Sequence, residues 1–79
     1  MIWRAEVHVR RFPNRELDPI GIIVLDGAAK QNEHVLFALD GETVGGCIEL
    51  IDPPDWRDRP AGTVPKVVIS LDRMLGPAP

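Results

Sequence analysis

The sequence predicts a small, mainly β domain, an antiparallel barrel or sandwich of about five strands with a short C-terminal helical turn. Several apolar segments either alternate with polar residues or are rich in β-branched side chains, as strands are. Eight prolines and seven glycines among 79 residues supply the turns that short antiparallel strands need. From the length we expect one domain over residues 1–76 and a frayed tail at 77–79.

The first predicted strand is the segment 2–12, IWRAEVHVRRF. Its odd-numbered positions from Trp3 to Val9 are apolar, and the even-numbered positions between them are charged or polar. A period of two is typical of a strand with one buried face. The pair Pro13-Asn14 is expected to end it.

The second segment, 20–25 (IGIIVL), is rich in β-branched residues and predicts a strand that is buried on both faces. The alternative is a helix starting near Asp18, because aspartate is a good N-cap and Pro19 suits the first helical position. Such a helix would make the domain α+β and ferredoxin-like. Gly21, Gly27 and three consecutive β-branched residues favour the strand.

The third segment, 34–51, has two apolar runs separated by Asp40-Gly41, which predicts a hairpin. The tripeptide Leu-Asp-Gly also occurs earlier, and its Asp26-Gly27 pair is likewise predicted to be a turn, since aspartate tolerates the left-handed region and glycine prefers positive φ. A calcium loop needs more closely spaced oxygen ligands than either pair supplies.

The return arm of this hairpin carries Gly45-Gly46, which predicts a bulge or a bend. Cys47 follows in mid-strand, where we expect a buried small hydrophobic side chain rather than an activated thiolate. His8 and His34 are expected on the surface. No short ligand spacing joins these side chains, so we expect no metal, no cofactor and no catalytic residue.

The rest of the chain predicts a loop, a last strand and a helical turn. Segment 52–65 contains four prolines and is expected to be a long loop. Segment 66–71, KVVISL, predicts the last strand, after which Ser70 can cap a short helical turn. The residues that line and stop this turn are Leu71, Met74, Leu75, Gly76 and Pro77.

Composition excludes some classes of function. The net charge is −3 and there is no polybasic run, which argues against broad binding to phosphate backbones. One cysteine allows no intrachain disulfide. The first residues lack the apolar core of a signal peptide, and no apolar run is long enough to span a bilayer. We therefore expect a cytoplasmic protein without a membrane partner.

Trp56, in PPDWRDRP, is the most informative single residue. It either closes an open end of the core or anchors a partner, and tryptophan and arginine are enriched in binding hot spots. The polar face of the first strand is a second candidate surface, although such faces are usually just solvated. The predicted partner-binding residues are Trp56, Arg57, Arg59, Arg4, His8 and Arg10.

Two stretches, RAEVHVRRFPNRELDPIG and the later CIELI, resemble the small subunit of the amidotransferase of purine synthesis. In that family a strand is followed by Leu-Asp-Pro-x-Gly, which opens a helix; the matching residues here are Leu17, Asp18, Pro19 and Gly21. The resemblance implies a ferredoxin-like fold and a structural role as the small subunit of a multi-subunit enzyme.

The residues themselves favour a small non-catalytic binding or accessory protein that acts through protein–protein contacts. Several predicted strands are apolar on both faces, and no long amphipathic helix is present to cover the second face. Exposed apolar surface of this kind usually marks an interaction site, and two-fold dimers are the commonest solution. We expect a homodimer, contact with another protein, or both. The enzyme-subunit role is the alternative, and a nucleic-acid-binding barrel is a weaker one.

Overall fold

A computed structural model gives the fold and describes residues 2–10, 16–60 and 62–71. Its strands follow one another as an antiparallel meander, and the last strand returns parallel to the first and closes a barrel. The predicted small barrel of five strands is therefore confirmed. The elements are β1 (Ile2–Arg10), β2 (Leu17–Gly27), β3 (His34–Leu39), β4 (Glu42–Asp52), a 3-10 turn (Trp56–Asp58) and β5 (Lys66–Leu71).

The helix considered for the second element is wrong. The chain from Leu17 to Asp26 pairs with β1, and the ladder is interrupted once, where Ile20 has no partner. Gly21 has a φ of +112° at this bulge, a backbone conformation that glycine adopts without strain. The ferredoxin-like alternative is overturned, and the resemblance to the amidotransferase subunit loses the helix on which it depended.

The interior of the barrel is apolar. On β1, Trp3, Ala5, Val7 and Val9 are buried while the residues between them point outward, so the predicted alternation is confirmed. No polar or charged residue of the described ranges is fully buried. The other buried residues of the core cluster are Leu25, Val35, Phe37, Ile48, Ile51, Val67 and Ile69.

The strands are strongly staggered around the barrel. Arg10 of β1 pairs with Ser70, which pairs with Cys47, which pairs with His34. His34 is the first residue of β3 and lies next to the C-terminal end of β2. On its opposite edge, β1 pairs Arg10 with Leu17, at the N-terminal end of β2. Following paired residues once around the barrel therefore leads from one end of β1 to its other end. Closure of a barrel requires a stagger of this kind.

The two Asp-Gly pairs have different structures. Asp40 and Gly41 have φ values of +53° and +83° and join β3 to β4, so the predicted hairpin turn is confirmed. The turn prediction for Asp26-Gly27 is wrong, because both residues are part of β2 and pair with β3. Gly27 is needed there for close approach: a Cβ on it would lie 2.6 Å from the carbonyl oxygen of His34.

Three details of β4 and β5 differ from the prediction or lie beyond the structure. The bulge of β4 falls at Glu49, between Ile48 and Leu50, and the ladder with β3 is regular through Gly45 and Gly46. These glycines serve packing instead: a Cβ at Gly45 would lie 2.7 Å from the His34 ring, and one at Gly46 2.5 Å from Ile69. The predicted C-terminal helical turn past β5 and the tail at 77–79 fall outside the described residues.

Replacing Asp40 with asparagine should leave stability almost unchanged, because asparagine also tolerates positive φ and suits the same turn. Asp40→Val should destabilise the fold by more than about 1 kcal/mol, because a β-branched residue is strained at that φ. Urea unfolding of the two variants tests this. Equal losses in both would show that the Asp40 carboxylate has a role beyond the turn.

Replacing Gly27 with alanine should destabilise the fold by about 3 kcal/mol, since the new Cβ adds a backbone clash to the strain of positive φ. Gly21→Ala is the matched control, because Gly21 also has positive φ but its Cβ would meet no atom within 4 Å. It should cost only about 1–2 kcal/mol. Similar unfolding midpoints for both variants would contradict the close approach at Gly27.

Candidate interaction surfaces

One candidate surface is the end of the barrel where β1 begins. Trp56 of the 3-10 turn stacks on Trp3, with ring centroids 5.5 Å apart and an angle of 22° between the planes. Trp3 is 6% exposed, and its indole Nε1 donates a hydrogen bond to the carbonyl oxygen of Gly27 at 3.2 Å. Trp56, only half-buried, packs against the core. This is the geometry of a lid that keeps one aromatic edge in contact with solvent.

Charged side chains surround this lid. The guanidinium carbon of Arg57 lies 5.4 Å from the centroid of the Trp56 ring, within the range of a cation–π contact. Arg59 Nε lies 3.3 Å from Asp55 Oδ1, and both side chains are more than half exposed. An exposed pair of this kind contributes little to stability. The lid therefore presents an aromatic ring with a nearby cation on a surface of mixed charge.

The second candidate surface is the outer face of β1. Arg4, Glu6, His8 and Arg10 alternate with the buried residues and point outward. His8 Nε2 and Glu6 Oε2 are 3.1 Å apart. Arg10 Nε donates to both carboxylate oxygens of Glu49, at 3.2 and 3.0 Å. Acidic side chains thus accompany His8 and Arg10 on this face.

The Arg10–Glu49 pair spans a strand whose outward-facing valine is unexpectedly buried. Arg10 lies on β1 and Glu49 on β4, so their contact passes over β5, which lies between these strands. Val68 of β5 is 5% exposed although its neighbours in sequence face the interior. Sequence reasoning did not find Glu49; the only available signal was an acidic residue within the apolar stretch CIELI.

The structure separates the predicted partner-binding residues into two groups. Trp56, Arg57 and Arg59 lie at the lid. His8, five residues beyond Trp3 on the strand, is about 17 Å away at the usual rise of a strand. Arg4 follows Trp3 but points to the opposite side of β1. The six residues therefore form no single continuous site around the tryptophan.

A third surface, which we call the apolar strip, lies on the outer faces of β2 and its neighbours. Ile22 is 65% exposed and Val24 is 51% exposed, which corrects the prediction that this strand is buried on both faces. Glu6 and Arg4 are their respective partners on β1. The strip consists of Ile22 and Val24 with Ile2 on β1 and Leu36 on β3, each of them exposed. Exposed Asp26 lies between Ile2 and Leu36.

Cys47 is exposed, so the prediction that it is a buried hydrophobic residue is wrong. It pairs across the ladder with His34, but the imidazole ring of His34 lies over Gly45, where a Cβ would come within 2.7 Å of it. His34 is exposed, as predicted. In the described ranges no three His, Cys, Asp or Glu side chains could together hold a metal ion.

Comparisons with models of protein families, with curated proteins and with solved structures found no match. Across the described part of the chain, no helix has the length and apolar character that crossing a membrane requires. The fold defines the class of the protein, a small five-stranded barrel closed by a parallel strand pair.

Replacing Trp56 with alanine should lower the free energy of unfolding by about 2–3 kcal/mol, because it removes the stack on Trp3 but opens a half-exposed site. Trp56→Phe should recover more than half of this loss, since a ring remains. Thermal melts measure both variants, with Arg57→Ala expected within about 0.5 kcal/mol of the parent. A Trp56→Ala variant with an unchanged melt would contradict the lid role.

Proposed function

We propose that the protein is a small non-catalytic binding protein that acts through protein–protein contacts and works as a homodimer. The observation that carries this proposal is the apolar strip. Outward residues of a small barrel are normally polar, because they face water. Here the outer face of β2 exposes more than half of Ile22 and of Val24. Exposed apolar surface of this kind usually marks a protein contact.

The charges of the other surfaces support a protein partner over a nucleic acid. A groove that follows a phosphate backbone needs cations that are available for contact with phosphate. Arg10 Nε donates to both carboxylate oxygens of Glu49, and His8 lies beside Glu6. The two tryptophans are stacked on each other, which uses one face of each ring that a base could otherwise cover.

The proposed compartment is the cytoplasm. The exposed, free thiol of Cys47 fits a reducing environment, because an exposed thiol in an oxidising compartment is open to disulfide exchange. At the lid, Trp56 and Arg57 form a second contact surface that could receive another protein, as tryptophan and arginine do at binding hot spots.

Sedimentation equilibrium between about 10 and about 500 µM should show self-association, because the apolar strip is removed from water when two copies meet. Binding to oligonucleotides at low salt, measured by fluorescence anisotropy, should be absent or lost at physiological salt. An affinity pull-down from lysate tests for a different protein partner. A monomer at every concentration that binds no apolar dye and recovers no stoichiometric partner would contradict the proposed function.

A further inference from the structure

One side of β2 is incompletely paired. Toward β1 its ladder extends from Leu17 to Asp26. Toward β3, the described residues form only two pairs, Asp26 with Leu36 and Gly27 with Val35. The backbone of residues 21–25 therefore has no strand partner on the β3 side within the described part of the chain.

The stagger of the barrel produces this open edge. Continuing the β2–β3 register would place Leu25 opposite Phe37 and Ile23 opposite Leu39. Neither pair is formed, so β3 separates from β2 after Leu36, and the chain reverses at Asp40-Gly41 into β4. The edge of β2 from Gly21 to Leu25 is therefore not bonded to β3 and lies beside the apolar strip.

The edge has a regular stretch with defined limits. At one end Gly21, with φ +112°, follows the bulge at Ile20. At the other end, pairing with β3 begins at Asp26. The stretch 21–25, GIIVL, contains no charge and no proline. Natural edge strands are usually protected by such residues, and an unprotected apolar edge is a template for another strand.

We infer that the stretch 21–25 of β2 pairs antiparallel with the same stretch of a second copy of the chain, around a two-fold axis at Ile23. This inference rests on the proposed protein-contact function and specifies its surface. Ile23 is the midpoint of the free stretch, so this register uses all of it. In a two-fold pairing the open strand edge of each copy is bonded to the other copy. No open edge is left for a third copy, so the assembly stops at a dimer.

The outer face of the joined sheet is complementary in this register. Ile22 of one copy lies opposite Val24 of the other, and the two-fold axis repeats the contact. Four exposed aliphatic side chains therefore meet in one cluster and leave water together. Each of them gains cover that its own barrel does not provide, and burial of apolar area is the main favourable term in association.

The charges on the neighbouring strand are complementary in the same register. Arg4 pairs with Val24 and Glu6 with Ile22 on β1. With the axis at Ile23, Val24 of one copy lies beside Ile22 of the other. The row of residues across the four strands then begins with Arg4 of one copy and ends with Glu6 of the other. A two-fold axis at Ile22 would instead place Glu6 in line with Glu6, and an axis at Val24 would place Arg4 in line with Arg4. Opposite charges across an interface favour the correct register over its alternatives.

The size of the contact sets the expected affinity. A single short strand pair with one aliphatic cluster is at the low end of specific interfaces, below the roughly 1,200 Å² of total area that is usual for stable ones. The dimer should therefore be a dynamic one, with a Kd on the order of 10–100 µM.

Three variants test the surface and the register. Ile22→Lys/Val24→Lys places lysine opposite lysine across the axis and should weaken dimerisation more than about tenfold. Ile22→Lys/Val24→Glu places lysine opposite glutamate in this register. It should dimerise more weakly than the wild type, because the aliphatic cluster is lost, but more tightly than the double-lysine variant. Leu50→Lys/Val64→Lys is the matched control, since both residues are exposed aliphatic side chains away from β2; it should dimerise like the wild type.

Sedimentation equilibrium gives the Kd of each protein, and circular dichroism confirms that each is folded. Hydrogen exchange gives an independent readout in the wild type: amides within 21–25 should become more protected as concentration rises, whereas amides of β4 should not.

The outcomes separate this inference from the proposed function. A wild type that stays monomeric at the highest concentration overturns the inference, while recovery of a different protein partner would still support the proposed function. A double-lysine variant that dimerises normally places the dimer contact elsewhere and overturns the inference alone. Equal dissociation of the lysine–lysine and lysine–glutamate variants overturns the register centred on Ile23.

Discussion

Closure of the sheet by the parallel pairing of β5 with β1 is the constraint on which the rest of the structure depends. β1 pairs with β2 on one side and with β5 on the other, from Glu6 to Arg10. The inward residues of β1 thereby enter a core that is enclosed by strands on all sides. Without β5, the β1 edge and the inner face of the meander would both remain open to water.

The parallel closure also dictates the connection that precedes β5. β4 and β5 are antiparallel neighbours, yet the chain between them passes the start of β1 before it enters the sheet. The Pro65 carbonyl oxygen accepts a hydrogen bond from the Glu6 amide at 2.8 Å. The same connection carries Trp56 onto Trp3. One segment thus completes the ladder and covers the adjacent end of the core.

The outer surface over β5 differs from the outer surface over β2, because the stagger leaves the two strands with different neighbours. Over β5, the Arg10–Glu49 contact joins β1 to β4, and Val68 on the outer face of β5 is only 5% exposed. Over β2, apolar side chains are exposed and the strand extends beyond its β3 partner. The first side is covered by the chain itself, and the second is the side on which a partner strand would complete the hydrogen bonding. This asymmetry concentrates the proposed protein contact on β2.

Local chemistry specifies those elements whose signals in the sequence are unambiguous. The period of two in β1 specifies its buried face, and Asp40-Gly41 specifies a hairpin turn because both residues accept positive φ. Leu17–Gly27 was open to a helical reading, since Asp18 and Pro19 also suit a helix start. Only tertiary structure decided for a strand, because pairing with β1 supplies hydrogen bonds that local propensity cannot weigh. The exposure of Cys47, the Arg10–Glu49 contact and the open edge of β2 likewise depend on the register around the closed barrel, which is set by contacts between residues distant in sequence.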